Sequence, residues 1–186
     1  MKRLVFPVFI LFFLSGCAGK HDALDKVLMV RSEVMNCSGV AFNAVITADY
    51  LDELYVFELR CDTNEQGDLS FQVVSPQTIS GIAGTIAGDE GFLTFDDEVL
   101  AFEPLAEGRI SPVFAPWVFI KTLRSGYIQA CAQEQEQIIA VINDSYADNA
   151  LQLRISINSS GVPYFIEIMW NQYRCISMEI SDFRYV

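Results

Sequence analysis

Polar and apolar residues alternate in many segments of the chain, and this alternation constrains the fold more than any other feature of the sequence. In Val40–Tyr50 the even positions from 40 to 48 are apolar, whereas Asn43, Thr47 and Asp49 are polar. A period of two is typical of a strand with one buried face. Further segments of this kind follow one another through short turns, which predicts a mainly antiparallel sheet of about ten strands.

Two other segments have the spacing of helices. Asp22–Asn36 carries apolar residues near one face, and Ser111-Pro112 begins a second helix whose apolar stripe includes Trp117 and Ile120. Serine is a frequent N-cap, and proline is tolerated in the first turn. This stripe extends to Tyr127, although Gly126 is a candidate end of the helix.

The intervening segments complete the prediction of the fold. Residues 129–137 are polar and are predicted to form a loop or a short turn, and residues 182–186 are predicted to add a last edge strand. We therefore predict an α+β fold. It is a strongly curved, mainly antiparallel sheet, or half-open barrel, with an N-terminal helix and a mid-chain helix across its concave face.

The N-terminal segment has the layout of a secretory signal, in which basic residues precede an apolar run and small residues precede the cleavage site. Lys2 and Arg3 precede the apolar run Leu4–Leu14, and Ser15 and Gly16 precede Cys17. A run of 11 residues is too short to span the ~30 Å hydrocarbon core of a bilayer as a helix.

Residues 14–17 resemble the bacterial lipobox, which implies that Cys17 is acylated with fatty acids such as palmitate and becomes the first residue after cleavage. An ordinary cleaved signal, with no lipid on Cys17, is the alternative. We expect residues 1–16 to be a cleaved signal peptide, residues 17–23 the lipidated cysteine and its tether, and residues 24–186 a single domain. The protein would then lie in the cell envelope, anchored on the extracytoplasmic face of a membrane.

The charge of the mature chain excludes one class of partner. Cleavage removes two of the 12 basic residues and leaves 10 of them against 24 acidic residues. Nucleic acid binds proteins whose lysine and arginine side chains neutralise its phosphates. We therefore expect no nucleic-acid partner, and we expect a monomer whose contact with the membrane is its lipid anchor.

Four cysteines remain after Cys17, in a compartment that permits disulfides. These disulfide candidates are Cys37, Cys61, Cys131 and Cys175. None lies in a CxxC pair, which argues against a redox site or a zinc ribbon. Four cysteines allow three pairings. The pairing of Cys37 with Cys61 is favoured because the two flank a predicted hairpin, and buried free thiols are the alternative.

The sequence contains no constellation of residues that points to catalysis. Its one histidine, His21, lies in the predicted tether, so no Ser-His-Asp or Cys-His arrangement is expected. The turn 62–68 begins like a calcium loop, but Val73 occupies the position of the bidentate glutamate. The glycines of residues 81–88 match no phosphate-binding spacing and indicate a bend, a bulge or a close approach of another element. We predict no metal, no cofactor and no enzyme activity.

The order of these elements resembles the LolA/LolB-type lipoprotein carrier fold. The resemblance depends on Val74-Ser75-Pro76 leading into Ile79–Ile82, on the Phe92–Phe95 hairpin, on the helix of residues 111–123, and on the closing segment Ile180–Arg184. It implies a curved antiparallel sheet with helices across its concave side, which binds acyl chains between sheet and helices. The anchor at Cys17 departs from a soluble carrier of this type.

These observations lead to a predicted function and one alternative. We predict a membrane-anchored lipoprotein that binds a lipid or another apolar ligand in a slot between sheet and helices, lined by aromatic residues. The candidate residues of this slot are Phe42, Tyr55, Phe57, Phe71, Phe92, Trp117 and Ile120. For each of them the alternative is that it fills the core. The protein would then be a non-catalytic envelope assembly or interaction scaffold.

Overall fold

The computed structural model describes residues 18–50, 53–88, 90–95, 98–102, 105–106 and 109–186. The predicted signal peptide and Cys17 lie outside the described residues. Within those ranges, no helix combines the length and the apolar character that crossing a membrane requires.

The described chain contains two α-helices and thirteen strands. The helices are α1 (Ala18–Asn36) and α2 (Ala115–Ser125), and 3-10 turns cover Gln77–Ile79 and Pro112–Phe114. The strands are β1 (Val40–Asp49), β2 (Leu54–Thr63), β3 (Leu69–Ser75), β4 (Ala83–Ala87), β5 (Glu90–Phe95), β6 (Glu98–Phe102), β7 (Leu105–Ala106), β8 (Arg109–Ile110), β9 (Tyr127–Glu134), β10 (Gln137–Asn143), β11 (Gln152–Ile157), β12 (Pro163–Trp170) and β13 (Tyr173–Tyr185).

Eleven strands form one antiparallel sheet in the order β6-β5-β4-β3-β2-β1-β13-β12-β11-β10-β9, and β7 and β8 form a separate hairpin. Each half of the sheet is a series of hairpins, and the two halves meet where β1 pairs with β13. The outer strands β6 and β9 do not close on each other in the described chain. The predicted α+β fold, with a curved and unclosed antiparallel sheet and two helices, is confirmed.

One face of the sheet, called here the inner face, is covered by the helices. On β1 the predicted alternation is confirmed, because the side chains at positions 40, 42, 44, 46 and 48 are all buried. Register places Leu59 and Cys61 of β2 and Ile176 and Met178 of β13 beside them on this face. The intervening residues face outwards, which explains the period of two.

The second helix contacts the inner face along most of its own surface. Phe114, Phe119, Ile120 and Leu123 are fully buried, and Trp117 is 6% exposed, so its predicted inward orientation is confirmed. The α-helix begins at Ala115, after the 3-10 turn that follows Ser111. A helix with apolar residues at this many positions is typical of the protein core rather than of the surface.

Three boundaries differ from the sequence-based expectations. The first helix begins at Ala18, so the predicted tether of residues 18–23 lies within α1. Residues 127–134 form β9, whereas the sequence predicted a helix end and a loop there. The prediction failed because most side chains of this edge strand are exposed, so the segment lacks apolar alternation. Residues 182–185 belong to β13, which lies in the centre of the sheet because it pairs with β1.

Gly84 and Gly126 lie where no larger residue fits. A Cβ on Gly84 would lie 2.6 Å from the Phe71 ring and 2.8 Å from the carbonyl oxygen of Phe92. Of the three explanations given for the glycines of residues 81–88, a close approach of another element applies at this position. A Cβ on Gly126 would lie 2.6 Å from the carbonyl oxygen of Thr122, where α2 ends as predicted.

The two helices are joined by a reciprocal pair of arginine contacts. Arg31 of α1 donates from Nε to the carbonyl oxygen of Leu123 (2.7 Å) and from Nη2 to that of Gly126 (2.9 Å). Arg124 of α2 donates from Nη1 to the carbonyl oxygen of Val34 in α1 (3.3 Å). Each arginine thereby satisfies carbonyls at the C-terminal end of the other helix, where the helix dipole also favours a positive charge.

The buried indole of α2 generates a first prediction. Replacing Trp117 with alanine should lower the free energy of unfolding by about 3–5 kcal/mol, because it leaves a cavity against the core. Trp170→Ala, at an indole that is 40% exposed, is the matched control and should cost less. Denaturant unfolding measures both, and equal losses would contradict the burial of Trp117.

The helix contacts generate a second prediction. Arg31→Gln should lower the free energy of unfolding by about 2 kcal/mol, because it removes charged hydrogen bonds to two carbonyls. Arg154→Gln is the control, since its ion pair with Glu167 is exposed and 3.9 Å long, and such pairs contribute little. Thermal or denaturant unfolding should separate the two variants, and an Arg31 variant as stable as the control would refute the proposed coupling of the helices.

Candidate functional site

The space between α2 and the centre of the sheet is filled by side chains. Phe119 packs edge-on against Phe42, with ring centroids 6.0 Å apart, and Phe42 stacks on Phe183 at the same distance. Ile120 and Leu123 are fully buried beside them. This part of the inner face is solid core among the described residues, and the slot expected under α2 is filled.

An aromatic row lies next to this core, at the end of the β1–β2 hairpin. Tyr50, Tyr55 and Phe57 form the row, with ring centroids 6.1 Å apart for the first pair and 6.3 Å apart for the stacked second pair. Register pairs Ala48 with Tyr55 and Ile46 with Phe57, which places Tyr55 and Phe57 on the inner face. Tyr55 is nevertheless 40% exposed, so the helices leave this part of the face uncovered.

Aliphatic side chains extend the uncovered region towards the β6 edge of the sheet. Leu93 of β5 pairs with Gly84 of β4 and Leu100 of β6, so all three residues lie on the inner face. Leu93 is partly buried against the core, whereas Leu100 is 60% exposed. We call these two parts of the inner face together the open apolar surface, and its members are Tyr50, Tyr55, Phe57, Leu93 and Leu100.

The polar groups of the open apolar surface are already engaged. The Tyr50 hydroxyl donates to the carbonyl oxygen of Ile110, and the Tyr55 hydroxyl donates to Glu53 Oε2. The rings therefore present their faces and edges, while their hydroxyl groups are held by neighbouring atoms. Such a surface is suited to an apolar ligand with few directed polar contacts.

The structure separates the predicted slot residues into three groups. Tyr55 and Phe57 are brought together in the open apolar surface. Buried positions in the core are occupied by Phe42, Phe71, Trp117 and Ile120. Phe92 pairs with Thr85 and Ala101, and this register places it on the outer face, opposite to Leu93.

Sequence reasoning missed several members of the open apolar surface. Phe92 and Leu93 are adjacent apolar residues, and alternation alone does not say which of them faces inwards. The position of Tyr50 directly after β1, across a short turn from Tyr55, was a usable signal for a pair of neighbouring aromatic rings.

The four cysteines of the domain are free thiols, so the favoured pairing of Cys37 with Cys61 is absent. Cys61 points into the core in register with Phe42, whereas the Cys37 thiol donates to the carbonyl oxygen of Val34 at the end of α1. Burial raises the pKa of the Cys61 thiol far above its usual value, and the charge of Asp62 raises it further. Burial also raises the pKa of Cys131, partly offset by the charge of Arg31. Neither thiol has the lowered pKa of a reactive cysteine.

The described residues do not bring metal-ligating side chains together in groups of three or more. The turn that begins like a calcium loop is closed by its own atoms, since Asn64 Nδ2 donates to Asp68 Oδ2 at 3.0 Å. The backbone N–H of Asp68 donates in return to Asn64 Oδ1 at 2.9 Å. This turn connects β2 to β3 and has a structural explanation.

Comparison with known proteins finds similarity in structure only. No protein-family model matches the sequence, and no curated protein matches it. The chain is similar to the crystal structure of a LolA superfamily protein from Nitrosomonas europaea, with 10% identity, a TM-score of 0.44, and coverage of 88% of this chain and 93% of that one. It is also similar to a putative outer membrane lipoprotein-sorting protein domain from Vibrio parahaemolyticus, with 11% identity, a TM-score of 0.45, and coverage of 89% and 92%.

A third similar structure is the Mycobacterium tuberculosis lipoprotein LppX, with 14% identity, a TM-score of 0.44, and coverage of 88% of this chain and 95% of that one.

Proposed function

We propose that the protein is a non-catalytic, membrane-anchored lipoprotein of the cell envelope that binds a lipid or another apolar ligand at the open apolar surface. The observation that carries this proposal is the exposure of Tyr55 and Leu100 on a sheet face that is otherwise buried. The sequence predicted a binding site under α2, but that space is filled. We therefore place the proposed site on the neighbouring uncovered part of the inner face.

The energetic argument concerns the apolar area that a ligand would cover. Removing apolar surface from water is worth about 25 cal/mol per Å². The open apolar surface is continuous with the core through Phe57 and Leu93, so an acyl chain lying on it would contact packed side chains on one side. Stacked rings provide a rigid wall that loses little conformational entropy when a ligand binds.

The proposed anchor is supported by the sequence around Cys17 and by the start of α1. Two acyl chains hold a protein on a bilayer in a lasting way, whereas one chain does not. Because α1 begins at Ala18, the folded domain starts directly after Cys17, the residue that would be acylated.

The filled space under α2 favours a second candidate function, an envelope assembly or interaction scaffold. In that case the open apolar surface would be a contact for a protein rather than for a lipid, since exposed apolar patches also mark protein interfaces. The two candidates differ in what is bound to the purified protein.

Ligand binding can be tested on the purified protein. Protein purified without denaturant and stripped of external lipid should retain acyl-chain compounds, which native mass spectrometry would detect, and should take up a fluorescent fatty acid. Leu100→Glu should weaken uptake about ten-fold, because it places a charge where the chain would lie. Protein that is empty and takes up no probe would refute lipid binding and favour the scaffold.

The control for that variant lies on the other face of the same sheet. Val56 is 51% exposed and pairs with Thr47, which places it on the outer face. Val56→Glu introduces the same charge at a similar exposure and should leave uptake unchanged. Equal effects of the two variants would show that uptake does not occur at the open apolar surface.

The anchor can be tested separately. Cys17→Ala should move the protein from the membrane fraction to the soluble fraction, because the variant has no thiol to acylate. Mass spectrometry of the wild-type protein should show the added mass of the acyl groups on residue 17. A wild-type protein that is cleaved but carries no lipid would contradict the anchor and leave the ligand-binding proposal standing.

A further inference from the structure

A cleft of about 430 Å³ opens beside β2, β1 and β13, away from the open apolar surface. Its lining residues are Ala41, Phe42, Asn43, Arg60, Cys61, Asp62, Asp182, Phe183 and Arg184. The cleft forms where β13 bulges, since two residues of β13 lie between the pairs Asn43↔Ser181 and Ala41↔Arg184. Of these two, Phe183 stacks on Phe42 in the core, and Asp182 adopts a φ of 53°.

Charged side chains of opposite sign border this cleft on both sides. At one level Arg60 of β2 pairs with Asn43 of β1, and Asp182 of β13 lies on the other side of Asn43. At the next level Asp62 of β2 and Arg184 of β13 both pair with Ala41. The flanking strands β2 and β13 are two strand spacings apart, or about 10 Å. The cleft lies between these opposed charges, and Ala41 and Asn43 of β1 contribute to its lining.

Three of the four charged groups make no hydrogen bond or ion pair with any described residue. Asp182 accepts a 2.8 Å hydrogen bond from Asn43 Nδ2, whereas Arg60, Asp62 and Arg184 have no such partner among the described residues. Other arginines of the domain are engaged: Arg31 and Arg124 bind backbone carbonyls, and Arg154 and Arg174 pair with Glu167. Ala41, which pairs with both Asp62 and Arg184, is only 2% exposed although it faces outwards.

We propose that this cleft binds a zwitterionic group in which a primary ammonium is joined to a phosphate or a carboxylate. The guanidinium groups of Arg60 and Arg184 would bind the anionic part, for which planar arginine is well suited. Asp62 would bind the ammonium. A simple anion would be repelled by Asp62 and Asp182, and a simple cation by the two arginines. A ligand that carries both charges compensates both pairs.

Two sources supply this chemistry, and the experiment separates them. One source is the headgroup of a phosphatidylethanolamine lipid, and the other is a free small zwitterion such as an amino acid. NMR titration of the labelled protein should shift the amide signals of Ala41 and Asn43 with O-phosphoethanolamine or with glycine. Inorganic phosphate alone and ethylamine alone should bind at least ten-fold more weakly. Shifts with O-phosphoethanolamine and vesicles of phosphatidylethanolamine, but not with glycine, would identify the headgroup.

The residue assignments are tested by matched variants. Arg184→Gln and Asp62→Asn should each weaken binding of the zwitterion about five-fold or more, while Arg174→Gln, at an arginine outside the cleft, should not. Leu100→Glu should also leave it unchanged, so this result is independent of fatty-acid uptake at the open apolar surface. Binding of phosphate alone as tightly as O-phosphoethanolamine would overturn the proposal, as would the absence of binding by every zwitterion. Equal losses in Arg184→Gln and Arg174→Gln would overturn it as well.

Discussion

An open sheet of eleven strands has one long apolar face, and the structure depends on how that face is covered. The chain covers it with α2, which lies between β8 and β9 in sequence and contributes Phe119, Ile120 and Leu123 to the core. A helix end buried against a sheet leaves carbonyl groups without partners, and unpaired carbonyls are costly. Arg31 supplies donors to two of these carbonyls, and in doing so it fixes α1 against α2.

Helix α2 is shorter than the inner face of the sheet, and this difference in length determines where the candidate site lies. α2 has 11 residues, so it is about 16 Å long, whereas the sheet extends over eleven strands spaced by about 4.8 Å. The centre of the inner face is consequently dry and closely packed. The part near β5, β6 and the start of β2 keeps apolar side chains in contact with solvent. The same geometry explains the solid core and the open apolar surface.

The sequence was informative where a residue has one dominant environment. The even positions of β1, the inward orientation of Trp117 and the close approach at Gly84 each follow from local patterns that the tertiary structure reinforces. Strand β9 was missed because its exposed side chains at the edge of the sheet carry no alternation. The open apolar surface was found only in part, because its residues look like core residues in sequence. Their exposure depends on where α2 ends relative to the sheet, which no local pattern records.

The pairing of β1 with β13 has a consequence for how the chain reaches this fold. Strands β1 to β6 form one series of neighbours and β9 to β13 another, so each series can assemble from contacts that are close in sequence. The two series join only through β1 and β13, whose paired residues, such as Val40 and Tyr185, are separated by nearly the whole domain. Closing so long a loop has an entropic cost and slows folding. Until the last strand is available, β1 presents an unpaired edge, which is the place where an incomplete chain is most prone to associate with another.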